Sequence, residues 1–323
     1  MAKAVRYHKQ GGPEVLQVDD VQVGEPGQGQ VRIRHTAIGV NFVDTYQRSG
    51  LYPMQLPQVA GNEGAGLVDA VGPGVKDLKK GDRVCYTGLP GSYCEARVVP
   101  ADRMVKLPKG ISEEQAASML LKGLTVHYLI HTTYPVKRGE TVLWHAAAGG
   151  VGLIACQWLK ARGVKTIATV GSDDKAKLAK AHGAHYVINY STENFVQRVK
   201  EITGGKGVPV VYDGVGKATW EGSLDCLRPR GLIASFGNAS GAVPPVNLGI
   251  LSAKGSLYVT RPTLATHIAS RADLLARSKA LFAVVNAKKV KIQTTARYKL
   301  ADAAQAHRDL ESRKTTGSVI LTP

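Results

Sequence analysis

The residues best suited to chemistry lie in one stretch, Glu140 to Arg162, with the sequence ETVLWHAAAGGVGLIACQWLKAR. Ala147, Gly149 and Gly152 have the spacing of a G-x-G-x-x-G fingerprint, with alanine in the first position. Such a turn lets a pyrophosphate approach bare backbone at Gly149, lets the helix pack on the strand at Gly152, and presents helix N–H groups to negative charge. Because an apolar strand precedes the turn and an apolar helix follows it, this stretch predicts a dinucleotide site.

The tip of the next strand indicates which dinucleotide binds. In a Rossmann unit, an acidic residue about 20 positions after the fingerprint binds the ribose 2′-hydroxyl. Here the tip is Gly171-Ser172, where glycine leaves space, serine can donate to a phosphate, and Lys175 adds positive charge. Asp173 and Asp174 compete with this interpretation, but they also fit the first turn of a helix capped by Ser172. We therefore predict NADPH over NADH.

Alternating strands and helices surround the fingerprint. Strands are predicted at residues 141–146, 166–170, 186–189, 208–212, 232–236 and 256–260, with intervening helices from Val151, Asp173, Glu193 and Ala218. A helical stretch is expected at residues 125–133, and a longer helical pattern follows Leu264. Repeated units of this size predict an α/β fold with a doubly wound parallel sheet.

The first part of the chain has a different pattern. It is rich in valine, glycine and proline, and the runs Gln30–Ala37 and Gly66–Val71 predict strands separated by glycine-rich turns. This is typical of a small, irregular β-barrel. With a last strand at residues 317–321, both chain ends build this domain, which we place at residues 1–124 and 265–323. The nucleotide domain is then an insertion at residues 125–264.

Bulk properties narrow the class of protein. A chain of 323 residues suits two domains, and 44% hydrophobic with 21% charged residues is ordinary for a globular protein. No apolar run is long enough to span a bilayer and the first residues lack a signal-peptide core, so we expect a cytoplasmic location. The four cysteines form no CxxC pair, so neither a zinc ribbon nor a redox dithiol is indicated.

The net charge of +17 favours anionic substrates or nucleic acid. Basic residues are concentrated late in the chain, at Lys288, Lys289, Lys291, Arg297 and Lys299. Only Phe282 and Tyr298 are aromatic there, so no platform for stacking bases is evident. We predict that nucleic-acid binding is not the main role, although an RNA-binding or structural protein with a retained NADPH site stays open as an alternative.

Seven motifs together carry a family resemblance. They are GGPEVL (11–16), GVNFVDTYQRSGLYP (39–53), GNEGAG (61–66), KKGDRV (79–84), LKGLTVHYLI (121–130), AAAGGVG (146–152) and TGSVILTP (316–323). Over essentially its whole length the chain resembles the quinone oxidoreductase, or zeta-crystallin-like, branch of the medium-chain dehydrogenase/reductase superfamily, in its bacterial form. The resemblance implies a Rossmann domain inserted in a GroES-like β-barrel catalytic domain, NADPH-dependent quinone reduction, and a homodimer.

The departures from zinc-containing relatives predict the absence of a catalytic metal. Those relatives carry a cysteine in the segment matching Gly39–Asp44 and a histidine before the glutamate in the segment matching Gly61–Gly66. Here the first segment has no cysteine, and Asn62 precedes Glu63. Amide and aliphatic side chains are poor replacements for thiolate and imidazole as zinc ligands. Without a Lewis acid the acceptor should already be electron-poor, as a quinone is.

The resemblance also implies the residues near the reaction. They are Asn41, Asp44, Tyr46 and Tyr52, bordering nicotinamide and acceptor, with Lys122 and Thr125, expected just before the first helix of the nucleotide domain. Tyr46 and Tyr52 could sandwich a flat ring, donate to a quinone oxygen, or simply cover the barrel. Asp44 could serve to orient Asn41, and Lys122 could be a solvated cation.

The expected cofactor contacts cluster at the carboxyl ends of the predicted strands. Besides Asn41 and Tyr46 they are Ala148, Gly149, Gly150, Val151, Gly152, Gly171, Ser172, Lys175, Val215, Phe236, Gly237, Asn238, Ala239, Val259, Thr260 and Arg261. The family resemblance further implies Tyr190, just past the third strand, near the adenosine phosphate, and Arg313, before the last strand, near the phosphate.

Two alternatives for the histidines are rejected. His145 has no nucleophile-elbow G-x-S-x-G nearby, so a catalytic triad is not expected. His127 and His131 have the i, i+4 spacing of a metal pair but lack the glutamate of H-E-x-x-H, so a helix face is the better interpretation. An enoyl or 2-alkenal reductase of the same superfamily remains open, as does transfer of electrons singly or as hydride.

Overall fold

The computed structural model describes residues 1–323, which form two compact units. The first unit contains Met1–Leu124, His267–Asn286 and Ile292–Pro323, and the second contains Thr125–Thr266 with Ala287–Lys291. None of the helices has both the length and the apolar character required to cross a membrane.

The first unit is built mainly of antiparallel strands. They are β1 (Ala2–Tyr7), β2 (Gln17–Val21), β3 (Gln30–Val40), β4 (Gln58–Val59), β5 (Glu63–Val71), β6 (Arg83–Thr87), β7 (Ala96–Pro100) and β8 (Val105–Lys106), and, near the chain end, β15 (Thr294–Lys299) and β16 (Ser318–Thr322). One sheet has the order β15-β16-β3-β5-β6-β8, with β7 also paired to β3, and a smaller sheet has the order β2-β1-β4.

Strand β3 confirms the strand predicted at Gln30–Ala37 and extends it by three residues, to Val40. Val31 and Ile33 are buried in a core with Val68 and Val84, while alternate residues face outward, as period-two patterning requires. The strand continues to Val40 because β16, from the other end of the chain, pairs with its last residues. The alternation of apolar and polar residues within one segment gives no information about a pairing partner so distant in the sequence.

The second unit is a parallel sheet with flanking helices. Its strands are β9 (Thr141–Trp144), β10 (Lys165–Val170), β11 (Tyr186–Asn189), β12 (Val208–Asp213), β13 (Leu227–Ser235) and β14 (Tyr258–Thr260). Its helices include α3 (Gly150–Ala161), α4 (Asp173–Ala181), α5 (Phe195–Ile202), α6 (Trp220–Asp225) and α7 (Gly249–Ala253). The order β11-β10-β9-β12-β13-β14, with every pair parallel, confirms the predicted doubly wound fold.

The remaining helices include the main correction to the sequence analysis. They are α1 (Phe42–Arg48), α2 (Glu113–Tyr128), α8 (Leu264–His267), α9 (Arg271–Asn286) and α10 (Ala303–Glu311). Helix α2 starts twelve residues before the predicted Thr125, since Ser112 and Gln115 form a capping box with reciprocal hydrogen bonds of 3.1 Å. Lys122 and Thr125 therefore lie inside this helix and not before it, and a π-helical turn at Leu129–Thr133 follows.

Candidate active site and nucleotide site

The fingerprint turn connects β9 to α3 in the second unit. Gly149 is the N-cap of α3, with extended backbone (φ −77°, ψ 170°), and its N–H donates to the carbonyl of Ala146 at 3.0 Å. The first N–H groups of an α-helix have no intrahelical acceptor, so those of Gly150 and Val151 have the chemistry that an anion requires. Ala148 lies buried in the same turn.

The two glycines of this turn have different roles. A Cβ atom added at Gly152 would lie 2.5 Å from the Cα of Ala147, so only glycine allows the helix to pack this closely on the turn. A Cβ atom at Gly149 would meet only the carbonyl oxygen of Ala146, at 3.3 Å. Because Gly149 has no side chain, its backbone is accessible at the point where a dinucleotide-binding turn receives a pyrophosphate.

The tip of β10 is shaped by Tyr190 as well as by glycine. A Cβ atom at Gly171 would lie 2.6 Å from the Tyr190 hydroxyl, so the space that the sequence predicts at Gly171 is bordered by this tyrosine. The predicted cap is confirmed, since Ser172 Oγ accepts from the backbone N–H of Lys175 at 3.4 Å. Ser191 Oγ also donates to the carbonyl of Gly171 at 3.0 Å, which fastens the two strand ends together.

The two aspartates after Ser172 have partners of their own. Asn189 Nδ2 donates to Asp173 Oδ1 at 2.8 Å, and the exposed Asp174 lies 3.3 Å from the Lys177 ammonium. Both occupy the first turn of α4, as expected for carboxylates that favour a helix N-terminus. The Asp173 carboxylate is therefore directed at the end of the neighbouring strand β11.

Strand β12 ends in a loop that a buried carboxylate holds. Asp213 Oδ1 accepts from the N–H groups of Val215 and Gly216 at 2.8 and 3.0 Å, and Oδ2 accepts from the hydroxyls of Thr219 and Ser223 at 2.7 and 2.9 Å. This gives Asp213 a structural role in shaping the loop.

The loop after β13 lies against the β12 loop. Arg261 Nη1 donates to the carbonyls of Ser235 and Gly237 at 2.8 and 3.1 Å, and the backbone N–H of Ala239 donates to Gly214 at 3.3 Å. These bonds bring five of the predicted cofactor residues to one edge of the sheet: Val215, Phe236, Gly237, Asn238 and Ala239. Val259 and Thr260 lie in the edge strand β14.

The histidines behave as the sequence analysis expects. His145 lies 3.0 Å from Ser223 Oγ, which in turn donates to Asp213, so serine stands between histidine and aspartate, and all three are buried. A nucleophilic triad needs histidine in the middle, so this is a structural network. The rings of His127 and His131 stack with centroids 4.4 Å apart, and Arg162 binds His131 at 2.8 Å.

The first unit contains a polar cluster of five buried residues, Asn41, Asp44, Asn62, Glu63 and Lys122. The Asp44 carboxylate accepts from the backbone N–H of Asn41 and from Asn62 Nδ2, both at 2.8 Å. Asn41 Nδ2 donates to Glu63 Oε2 at 2.9 Å, and the Lys122 ammonium lies 3.5 Å from the same oxygen. Asp44 thus orients Asn41, as one of its predicted roles requires, and Lys122 is not a solvated cation.

Burial governs the electrostatics of this cluster. It raises the pKa of Asp44 to about 6, although hydrogen bonds from Asn62, Asn41 and Tyr93 act in the opposite direction. Burial also raises the pKa of Glu63, against the effect of the Lys122 ammonium. At neutral pH the cluster therefore combines an ammonium with carboxylates that are costly to keep charged.

Two predicted residues nearby have an unexpected arrangement. The rings of Tyr46 and Tyr52 meet edge to face with centroids 5.3 Å apart, which differs from the parallel arrangement that a sandwich around a flat ring requires. Tyr46 belongs to α1 and is buried, while Tyr52 is half-buried. Thr125 is buried in α2, and Arg313 follows α10 with left-handed backbone (φ 61°).

Sequence reasoning missed the partners of these side chains. Glu63 is the buried counter-charge of Lys122, and the sequence signal for it is a lone charge within the otherwise uncharged and glycine-rich GNEGAG. Tyr93, Arg48 and His307 also reach the cluster, through Asp44, and nothing in the sequence brings these distant positions together.

The donor set does not fit a zinc ion. Asn62, which replaces the histidine of zinc-containing relatives, uses its amide to bind Asp44 and Gln47. The structure has no group of three or more histidine, cysteine, aspartate or glutamate side chains arranged to hold a metal. All four cysteines are buried free thiols.

Comparisons with known proteins agree over the full length of the chain. A zinc-binding dehydrogenase model matches residues 150–274, and an alcohol dehydrogenase GroES-like domain matches residues 27–109. A quinone oxidoreductase of Pseudomonas aeruginosa is 56% identical, with 100% of both chains covered, and a 2-haloacrylate reductase of a Burkholderia species is 46% identical, covering 100% of this chain and 99% of its own. The crystal structure of Escherichia coli quinone oxidoreductase complexed with NADPH has a TM-score of 0.98 at 53% identity, with 100% of both chains covered.

Proposed function

Because this chain belongs to the quinone oxidoreductase family of the medium-chain dehydrogenase/reductase superfamily, we propose that it is an NADPH-dependent quinone reductase. Two separate observations carry the proposal: the second unit contains a nucleotide turn, and the first unit contains a polar cluster with amide and ammonium donors but no ligand set for a metal. Such a cluster suits an acceptor that is already electron-poor, since a quinone spreads added charge over its oxygens.

The nucleotide site fits NADPH. The α3 N-terminus and Gly149 are proposed to receive the pyrophosphate. Ser172, Lys175 and Tyr190 are proposed to bind the ribose 2′-phosphate, which is supported by the position of Ser172 at the start of α4 and of the Tyr190 hydroxyl beside Gly171. When bound, NADPH supplies the reducing equivalents. The other predicted cofactor residues, including Val215, Asn238, Arg261 and Arg313, are proposed to contact the same molecule.

Donors for the quinone come from the first unit. Asn41 Nδ2 gives one N–H to Glu63, and Lys122 directs N–H groups at Glu63 and at the Val40 carbonyl, which leaves a further N–H of each for a ligand. Tyr46 and Tyr52 add hydroxyls. We assign the reaction to residues 1–124 and 265–323, and nucleotide binding to residues 125–264.

A second candidate is reduction of a conjugated alkene. A relative with 46% identity is named a 2-haloacrylate reductase, and its named substrate contains such an alkene. This reaction also requires protonation of the α-carbon, for which Tyr46 or Tyr52 would be the donor.

One assay tests both candidates. NADPH oxidation is followed with 1,4-benzoquinone, 9,10-phenanthrenequinone and 2-hexenal, each also with NADH. We expect turnover of the quinones and a kcat/KM for NADPH at least tenfold above that for NADH, equal to about 1.4 kcal/mol. Lys175→Ala should lower the NADPH value alone. A ratio near one would overturn the cofactor assignment, and turnover of 2-hexenal alone would favour the alkene reductase.

We propose that the protein is a homodimer formed through the second unit. Strand β14 pairs on one side only, with β13, and its residues Tyr258 and Val259 are exposed, as is Leu248 nearby in the chain. An unpaired edge with exposed apolar residues is suited to pairing with a second copy. Sedimentation of Val259→Lys should give a monomer if this edge forms the dimer.

The remaining proposals concern location and partners. Four buried free thiols suit a reducing compartment, so we place the protein in the cytoplasm. Arg297, one member of the basic region, pairs with Glu114, which reduces the charge offered to nucleic acid. Salt-dependent retention of RNA by a protein without quinone turnover would favour the nucleic-acid alternative.

A further inference from the structure

Four buried side chains form a line of hydrogen bonds that the reaction chemistry described above does not use. Arg48 Nη1 lies 3.0 Å from His307 Nδ1, His307 Nε2 lies 3.0 Å from the Tyr93 hydroxyl, and that hydroxyl lies 2.9 Å from Asp44 Oδ2. All four are at most 2% exposed. The line joins α1, the loop before β7 and the C-terminal helix α10.

The donor and the acceptor of each hydrogen bond in this line can be assigned, and all the bonds run in the same direction. A guanidinium can only donate, so His307 Nδ1 is the acceptor and the imidazole proton lies on Nε2. That proton is donated to the Tyr93 oxygen, and Tyr93 must then donate its own proton to Asp44. Burial lowers the pKa of His307 to about 3, so the imidazole stays neutral, as this assignment requires. Since Arg48 does not release a proton, the line is not a route for protons from solvent.

Both ends of the line are fixed. Arg48 binds Glu311 through two hydrogen bonds of 2.7 and 3.2 Å and donates to the carbonyl of Gly11 at 3.1 Å. At the other end, Asp44 Oδ2 accepts from both Tyr93 and the backbone N–H of Asn41. The orientation of Asn41 therefore depends on a carboxylate that α10 helps to hold.

We propose that Tyr93 and His307 are positioning residues for quinone reduction, acting through Asp44 to fix Asn41 at the start of α1. This rests on the proposed function. The groups that act on Asp44 are Lys122 on α2, Asn62 just before β5, the backbone N–H of Asn41, and Tyr93 in its loop. Tyr7 on β1 lies within electrostatic reach, and Arg48, His307 and Glu63 are the next groups, reached through Tyr93 and Asn41. Removal of the Tyr93 hydroxyl deletes one donor to the carboxylate and leaves the other groups in place.

The test compares Tyr93→Phe with the control Tyr298→Phe. Tyr298 donates to Asp309 of α10 at 2.8 Å. The control therefore also removes a hydrogen bond from a tyrosine to a carboxylate, but this bond is not part of the line. The titration of Asp44 is followed by carbon NMR in aspartate-labelled protein and assigned with Asp44→Asn. We expect Tyr93→Phe to raise the Asp44 midpoint by about one unit, as loss of a hydrogen bond to a charged group does. The acid limb of the pH profile of kcat/KM should move with it, and Tyr298→Phe should change neither.

A second pair of variants distinguishes an effect on the hydrogen-bond line from a general loss of folding. His307→Gln retains an acceptor for Arg48 and a donor for Tyr93, whereas His307→Leu has neither. We expect glutamine to keep the wild-type acid limb and leucine to move it as Tyr93→Phe does. An Asp44 midpoint unchanged in folded Tyr93→Phe, or moved equally in Tyr298→Phe, overturns the inference. Absence of quinone turnover by the wild type overturns the proposed function instead, and the NMR titration still decides the proton arrangement.

Discussion

The nucleotide site of the second unit and the polar cluster of the first unit are built by opposite means. The former consists of backbone, with glycine where a side chain would obstruct packing or a ligand, as at Gly149 and Gly152. The latter consists of buried side chains, such as Glu63 and Lys122, that are tolerated only because they satisfy one another. A backbone site depends on space, and a side-chain site depends on partners. Substitutions in the two units should therefore differ in how they affect the free energy of unfolding and ligand binding.

The largest effect is expected from breaking the buried ion pair. Lys122→Met removes the ammonium but leaves the fully buried Glu63 carboxylate, so the free energy of unfolding should fall by about 3–5 kcal/mol. Glu63→Gln added to this variant removes the unpaired charge and should recover part of the loss. Urea unfolding of the four proteins in a double-mutant cycle measures this coupling. Additive effects of the two substitutions would show that the pair is not coupled.

The Asp44 carboxylate makes the free energy of unfolding depend on pH, and the sign of this dependence follows from its raised pKa. Its pKa is raised from 3.8 to about 6, so between these values the folded chain keeps a proton that the unfolded chain releases. Asp44 therefore contributes stability at low pH that is lost as the pH rises through about 6. His307 and His35, with pKa values lowered to about 3 and about 4, act in the opposite sense, and their contribution is lost as the pH falls.

Asp44→Asn isolates this contribution. A pKa raised by about two units corresponds to about 3 kcal/mol in full. Because pH 4 lies slightly above the unfolded-state pKa, the stability of the wild type relative to Asp44→Asn should be about 2 kcal/mol greater at pH 4 than at pH 7. Urea unfolding across this range measures the difference. A difference that is constant with pH would mean that the Asp44 pKa is not raised.

In the second unit we expect binding and stability to separate. Gly152→Ala places a methyl group 2.5 Å from the Cα of Ala147, so it should lower the free energy of unfolding by about 1–3 kcal/mol and also weaken NADPH binding. Gly149→Ala meets only one carbonyl oxygen at 3.3 Å, so it should weaken binding roughly tenfold while changing stability by about 0.5 kcal/mol or less. NADPH fluorescence and urea unfolding measure the two quantities, and equal loss of stability in both variants would contradict the division of roles.

The same contrast explains what the sequence could predict. The turn at Ala147–Gly152 was recognised because its residues are contiguous and the flanking periodicity reveals a strand and a helix. The start of helix α2 also has a local signal, the capping box of Ser112 and Gln115, which lies twelve residues before the start that the change of pattern at Thr125 predicts. Both signals lie within a few consecutive residues, so the sequence alone is sufficient to predict these elements.

The side-chain cluster could be predicted only in part. Asn41, Asp44 and Lys122 were named from a family resemblance, but their buried partners were not, because contact depends on the tertiary fold. Tyr93 and His307 are separated by 214 positions, and no periodic pattern relates residues at that distance. Buried polar networks of this kind are visible only once the strands and helices are packed.

The smallest expected effect tests whether side-chain partners also matter in the backbone-built site. Asn189 Nδ2 holds the Asp173 carboxylate at 2.8 Å, one residue after the strand tip Gly171-Ser172, where an enzyme selective for NADH would use an acid. Asn189→Ala frees this carboxylate to repel a 2′-phosphate or accept from a 2′-hydroxyl, so the NADPH to NADH ratio of kcat/KM should fall about two- to fivefold, or about 0.5–1 kcal/mol. Asp173→Asn in the same background should restore the ratio, because the released charge is then gone. If the ratio stays low in the double variant, Asn189 acts through the Tyr190 loop and not through Asp173.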